Sequence, residues 1–217
     1  MPIPPRELSF GALFAYSPKG NSARVQQSRR LRHELKRDGF TNTGESMIRW
    51  VAERIAELRG RLPFDDFFGA DVTLVPMPTH ARQRDDSLWV PKRICDELCR
   101  AGLASSIAPC IHRTTAVPKA AQSRPEDRPT VAQHHSSMSL DRSLEPLEDV
   151  LLVDDVITRG ATLMAAAIRI SEAFPSARVR AFAVLRTFSD PESFRAVKDP
   201  CCGVIHYYES GKTHREP

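Results

Sequence analysis

Residues 150–162, VLLVDDVITRGAT, constrain the fold more than any other stretch of this chain. Val150, Leu151, Leu152 and Val153 form an unbroken aliphatic run, which asks for burial on both faces, as in a parallel sheet covered by helices. Two adjacent carboxylates, Asp154 and Asp155, follow at what reads as the strand tip. A loop of small residues then opens a helix at Thr162, with Leu163, Ala167, Ile170 and Phe174 on one face. A helix start leaves its first N–H donors unpaired, and the helix dipole draws negative charge toward them. Thr158, Arg159, Gly160, Ala161 and Thr162 therefore read as an anion cradle. Gly160 allows close backbone approach, and Thr158 and Thr162 offer hydroxyls. Two acids beside such a cradle repel a bare phosphate. They suit a ligand that also carries hydroxyls or a divalent cation, as a phosphorylated sugar does.

Strands and helices alternate through the rest of the chain. Residues 8–16 (LSFGALFAY), 71–75 (DVTLV), 107–111, 178–186 (RVRAFAVLR) and 204–208 read as strands. Residues 21–38 read as an arginine-rich helix stopped by Gly39, and residues 88–100 as another helix. Between them, Asn42 and Glu45 have capping-box spacing ahead of Met47, Ile48, Val51, Ile55 and Leu58 at helical intervals. This order predicts a single α/β domain over residues 1–217, its mostly parallel twisted sheet flanked by helices and its ligands beyond the carboxyl ends of strands. A chain of 217 residues, 41% hydrophobic, is long enough for one full core. Residues 113–139, with Pro118, Pro125 and Pro129 among polar side chains, read as a long mobile loop, and residues 211–217 as a loose tail.

Composition narrows the classes further. Five cysteines and no secretory-type start point to free thiols in a reducing cytoplasm. Cys95 and Cys99 share one helix face as core residues, and no Cys-x-x-Cys pair marks a zinc site. No apolar run reaches the ~20 residues of a membrane span. The net charge of +4 favours phosphate-bearing partners without requiring nucleic acid. Within residues 24–37, Arg24, Arg29, Arg30, Arg32, Lys36 and Arg37 could track a DNA backbone, although no aromatic side chains are interleaved for base stacking.

All thirteen residues 150–162 resemble the signature of type I phosphoribosyltransferases. The surrounding chain is similar to the ComF-like, amidophosphoribosyltransferase-related branch through Tyr16, the stretch Leu35-Lys36-Arg37-Asp38-Gly39, Val75-Pro76-Met77-Pro78 and Val184-Leu185-Arg186-Thr187. The resemblance implies a type I phosphoribosyltransferase fold with a small cap (hood) built by the chain ends, residues 8–16 and 204–208. It also implies a ligand, phosphoribosyl pyrophosphate or a related ribose 5-phosphate compound. On it, Asp154 and Asp155 hold the ribose hydroxyls, and Thr158, Arg159, Gly160, Ala161 and Thr162 hold the 5-phosphate. Pro78, Thr79, His80, Arg82 and Arg84 meet the pyrophosphate. Mg2+ sits on water and ligand oxygens, with no protein side chain as its ligand. Among the loop cations Lys119, Arg124 and Arg128, with Arg113 nearer the sheet, Lys119 is the first candidate to swing onto the leaving pyrophosphate. His80, His112, His134 and His135 receive no catalytic role.

Two functions follow. One is magnesium-dependent transfer of ribose 5-phosphate to a base or amine with release of pyrophosphate. The alternative is a non-catalytic phosphoribosyl-binding protein acting with DNA in uptake or repair. That alternative is motivated by Arg84-Asp85-Asp86-Ser87-Leu88-Trp89, where the branch has an Arg-Gly-Phe-Asn-like element. A nucleotide-sugar or NAD-related enzyme using the same pocket also stays open, as does assembly into a homodimer.

Overall fold

The computed structural model describes residues 5–80, 87–118, 128–141 and 146–217. In chain order the strands are β1 (Glu7–Tyr16), β2 (Gly69–Pro76), β3 (Ala104–Ile107), β4 (Ile111–Arg113), β5 (Met138–Leu140), β6 (Asp149–Ile157), β7 (Arg178–Thr187), β8 (Lys198–Tyr207) and β9 (Thr213–Glu216). The helices are α1 (Ala23–Lys36), α2 (Met47–Glu57), α3 (Val90–Arg100), α4 (Val131–Ser136) and α5 (Ala161–Ala173). Seven strands form one sheet in the order β3-β2-β6-β7-β1-β8-β9, and β4 and β5 form a separate antiparallel pair. The first five are mutually parallel; β8 and β9 add antiparallel pairs at one edge. The expected mixed α/β architecture, a mostly parallel sheet flanked by helices, is the one the chain adopts.

Strand alternation divides the core into two layers. Leu151 and Val153 pack with Leu35, Ile48, Ile55 and Ile94, the side of α1, α2 and α3. Val150 and Leu152 pack with Met164, Ile168 and Ile170 of α5 and with Val131 and Met138. All four residues of the β6 run are 0% exposed. Successive side chains of a strand point to opposite faces, so a strand covered on both sides has no polar position to spare.

Several local expectations change. Residues 8–16 do not form a cap: β1 lies inside the sheet between β7 and β8, paired along its length with both. Its aliphatic and aromatic side chains from Leu8 to Ala15 are buried, which an interior strand requires. The tail expected to be loose is instead β9, hydrogen-bonded to β8 through a turn at Gly211. The span expected as one mobile loop, 113–139, contains α4 and β5. Thr130 and Gln133 form a capping box there, and Val131 and Met138 are buried. The expected strand 107–111 is divided between β3 and β4. Asn42 and Glu45 do not cap α2; Ser46 does, its hydroxyl accepting the Arg49 N–H at 3.3 Å. At the end of α1 the left-handed residue is Asp38 (φ 50°), not Gly39. Its carboxylate accepts from Ser46 Oγ at 3.2 Å and Arg93 Nε at 3.0 Å, which holds it there.

Candidate functional site

Beyond the carboxyl end of β6 lies a cavity of about 170 Å³. Its floor is residues 156–163, one wall is Arg128, Thr130 and His134, and the opposite wall is Gly211, Lys212 and Thr213 of the C-terminal hairpin. Asp154 faces into it. Thr158, Arg159, Gly160, Ala161 and Thr162 are thus brought together on one open space. α5 starts at Ala161, after Gly160. The first helical bond, Met164 N–H to the Gly160 carbonyl, is 2.8 Å long and leaves the N–H groups of Ala161, Thr162 and Leu163 ahead of it in the cavity wall.

Gly160 is required twice. Its φ of 82° is left-handed, and a Cβ there would lie 2.6 Å from Ile205 Cδ1 of β8. The loop is held from behind by the same hairpin. Arg215 Nε donates to the Thr158 carbonyl at 3.0 Å and its Nη2 to the Thr187 carbonyl at 2.9 Å. The two hydroxyls also have settled neighbours: Thr158 Oγ1 lies 3.3 Å from Thr187 Oγ1, and Thr162 Oγ1 lies 3.3 Å from His134 Nε2.

β6 does not end at Val153 but runs on to Ile157, and the two aspartates stay side by side: the Asp154 carboxylate accepts the Asp155 N–H at 2.8 Å and lies against the Asp155 side chain. Asp154 lines the cavity. Asp155 is 4% exposed and forms an ion pair with Lys36 of α1. Among the described residues, none forms an ion pair with Asp154. Burial, then the negative charge of Asp155, raise its pKa from the usual carboxylate range to about 7, against the opposing pull of Lys36.

Arg113 is buried, and burial lowers its pKa to about 10, with Asp154 opposing the drop. It does not line the cavity but braces it: its guanidinium donates to Ser137 Oγ at 2.6 Å and to the Thr79 carbonyl at 3.2 Å. His134 is 5% exposed; burial and the nearby Arg113 charge lower its pKa to about 4, so the ring is neutral at physiological pH. Arg128 lines the cavity, and its buried Nε has no hydrogen-bond partner among the described residues.

Of the residues expected to meet a pyrophosphate, Pro78, Thr79 and His80 follow β2 without lining this cavity. The Thr79 and His80 carbonyls accept from Arg113 and from the Val117 N–H at 3.0 Å. Arg82, Arg84, Lys119 and Arg124 lie outside the described residues. Among the described residues, no group of three or more His, Cys, Asp or Glu side chains converges to hold a metal ion, and no helix is long and apolar enough to cross a membrane. Most cations of residues 24–37 have neighbours within the chain; Arg30 is exposed. Arg24 and Arg29 donate to the Arg195 and Pro18 carbonyls, Arg32 stacks over Tyr16, and Lys36 and Arg37 pair with Asp155 and Glu34.

Sequence reasoning missed Lys36 as the partner of Asp155, and Lys212 and Arg215 as parts of the site. Capping-box spacing at Thr130–Gln133 was the available signal for α4 and hence for His134. No local signal brings the C-terminal hairpin to the β6 loop, because that contact follows from sheet order alone.

No family model matches the chain, and no curated protein sequence matches it. Among solved structures the chain is similar to an adenine phosphoribosyltransferase from Leishmania donovani, at 9% identity over 86% of this chain and 84% of that one, with a TM-score of 0.38. It is similar to a hypoxanthine phosphoribosyl transferase from Trypanosoma cruzi, at 15% identity over 78% and 86% of the two chains, with a TM-score of 0.34. The adenine phosphoribosyltransferase from Leishmania tarentolae gives 12% identity over 80% and 83%, also at 0.34. Likeness at this level adds no argument to the geometry of the site.

Proposed function

We propose that the cavity beyond β6 binds the 5-phosphate and ribose of phosphoribosyl pyrophosphate, and that the protein transfers this ribose 5-phosphate to a base or amine. The observation that carries the reading is the start of α5. Three N–H groups, a left-handed glycine and two threonines surround one cavity, with Arg128 and Lys212 on its rim and a carboxylate at its inner end. Phosphate at a helix start gains from both the free donors and the dipole. Asp154, which lines the cavity, would accept hydrogen bonds from ribose hydroxyls, and Asp155 beside it is held by Lys36.

Transfer breaks the bond from C1 of the ribose to a pyrophosphate oxygen and forms one from C1 to the acceptor nitrogen, whose proton leaves to solvent. The chain's part is to position the sugar, exclude water and stabilise the charge that grows on pyrophosphate. Lys119 remains the cation proposed for that charge. The carboxylates of Asp154 and Asp155, with Lys36 paired to only one of them, would attract a hydrated Mg2+ to the cavity. Bound there, Mg2+ would supply charge neutralisation for the leaving group. The DNA-acting alternative keeps the exposed Arg30, while Arg24, Arg29, Arg32, Lys36 and Arg37 contact groups of the chain itself.

The test is incubation with phosphoribosyl pyrophosphate, Mg2+ and a panel of bases and amines. Pyrophosphate should appear with at least one acceptor, at a rate lowered at least 100-fold in the Asp154→Asn/Asp155→Asn variant. Equal rates for the two proteins reject the enzymatic reading.

A further inference from the structure

A second cavity, of about 230 Å³, lies beside the first, with Thr158, Arg159 and Thr213 shared between the two walls. Its remaining lining is Thr187 at the end of β7, Phe188 and Ser189 just beyond it, and His214 and Arg215 of β9. Among the described residues no carboxylate lines it. Glu216, next to Arg215 in sequence, lies 3.5 Å from His206 Nε2, and two further acids are occupied elsewhere. Asp190 accepts the Glu192 and Ser193 N–H groups at 3.0 and 3.2 Å, and Asp199 pairs with Arg186.

Two observations give this space a sign. Arg215 uses Nε and Nη2 on backbone carbonyls, while its buried Nη1 has no partner among the described residues, nor has Thr213 Oγ1. Burial and the nearby Arg186 charge also lower the pKa of Arg215 to about 10, so its environment lacks negative charge. A buried donor without an acceptor costs about 1–3 kcal/mol, more when charged; both atoms lie behind the cavity wall, so an anion in the cavity would answer the guanidinium's charge rather than take these hydrogen bonds. The volume is several times the ~30 Å³ share of a single water. Phe188 adds an aromatic wall, with Arg186 stacked on its ring at 4.5 Å.

We infer that this second cavity is an anion-binding site separate from the helix-start cradle, and that its ligand is a small molecule carrying a carboxylate or phosphate group. It goes beyond the proposed phosphoribosyl site and does not depend on it. The two sites share a wall, so a molecule in each would meet across Thr158 and Arg159.

The test is calorimetric titration of the full chain with inorganic phosphate and, separately, with benzoate. Phosphate should bind at two sites. Ser189→Asp places a charge only in the second cavity and should weaken one site at least tenfold while leaving the other. Thr162→Asp should do the reverse. Ser189 and His214 are both exposed, so His214→Glu serves as a second variant if the first does not fold. Benzoate binding lost in Ser189→Asp but kept in Thr162→Asp identifies a carboxylate ligand; phosphate alone behaving so identifies a phosphate ligand. If neither Ser189→Asp nor His214→Glu weakens any phosphate or benzoate binding, the inference is overturned. If only Thr162→Asp has no effect, the second site stands and the cradle reading falls.

Discussion

Asp154 is held inside the fold with too little positive charge around it, and its pKa of about 7 follows. The sign for stability is set by that direction. In the unfolded chain the group titrates near its ordinary value of about 3.9. The folded state therefore binds the extra proton between about pH 4 and 7, and stability falls as pH rises through that window. Asp154→Asn imitates the neutral form. It should be more stable than the unaltered protein by about 1–3 kcal/mol at pH 8 and equal to it at pH 4, while donor binding is lost. Urea denaturation at the two pH values measures this; a stability difference independent of pH contradicts it. At Gly160 the restriction is steric. Gly160→Ala combines left-handed strain of about 1–2 kcal/mol with overlap against Ile205 of about 1–3 kcal/mol, so a loss near 3 kcal/mol is expected in the same assay. These two positions also mark what was legible residue by residue. The left-handed glycine and the free helix donors are local properties, readable from small residues after an aliphatic run. The ion pair of Asp155 with Lys36 was not. It depends on α1 packing against the sheet, which nothing local to residues 150–162 announces.

Among the elements, the C-terminal hairpin changes the account most. β8 and β9 extend the sheet and also deliver Ile205, Lys212 and Arg215 to the β6–α5 loop. Arg215→Met removes two charge-assisted hydrogen bonds to the Thr158 and Thr187 carbonyls. It should lower donor affinity at least tenfold and unfolding free energy by about 2–3 kcal/mol. Calorimetry and denaturation on the same variant check both, and Arg215→Lys should recover only part of the affinity because one ammonium cannot reproduce the fork. The period-2 and period-3.6 patterns gave β2, β6, β7, α2 and α3 because each has an apolar pattern set by its own burial. β9, with the sequence Thr213-His214-Arg215-Glu216, has no apolar side chain; its strand form comes from pairing with β8, a property of the partner. α4 is similar: six residues hold their place through the Thr130–Gln133 cap and the hydrogen bonds of Arg113.

At the scale of the molecule, five parallel strands bring the carboxyl end of β6 and its loop to one edge of a sheet whose two faces are closed by helices. The C-terminal pair then bounds the cavity from the side. The central claim is that the amides opening α5 hold a sugar phosphate, and a crystal soaked with phosphoribosyl pyrophosphate and Mg2+ tests it most directly. The account predicts the 5-phosphate oxygens at about 3 Å from the N–H groups of Ala161 and Thr162, with the ribose hydroxyls turned toward Asp154. Ligand bound with its phosphate away from those amides, or no ligand in the cavity at saturating concentration, would contradict it.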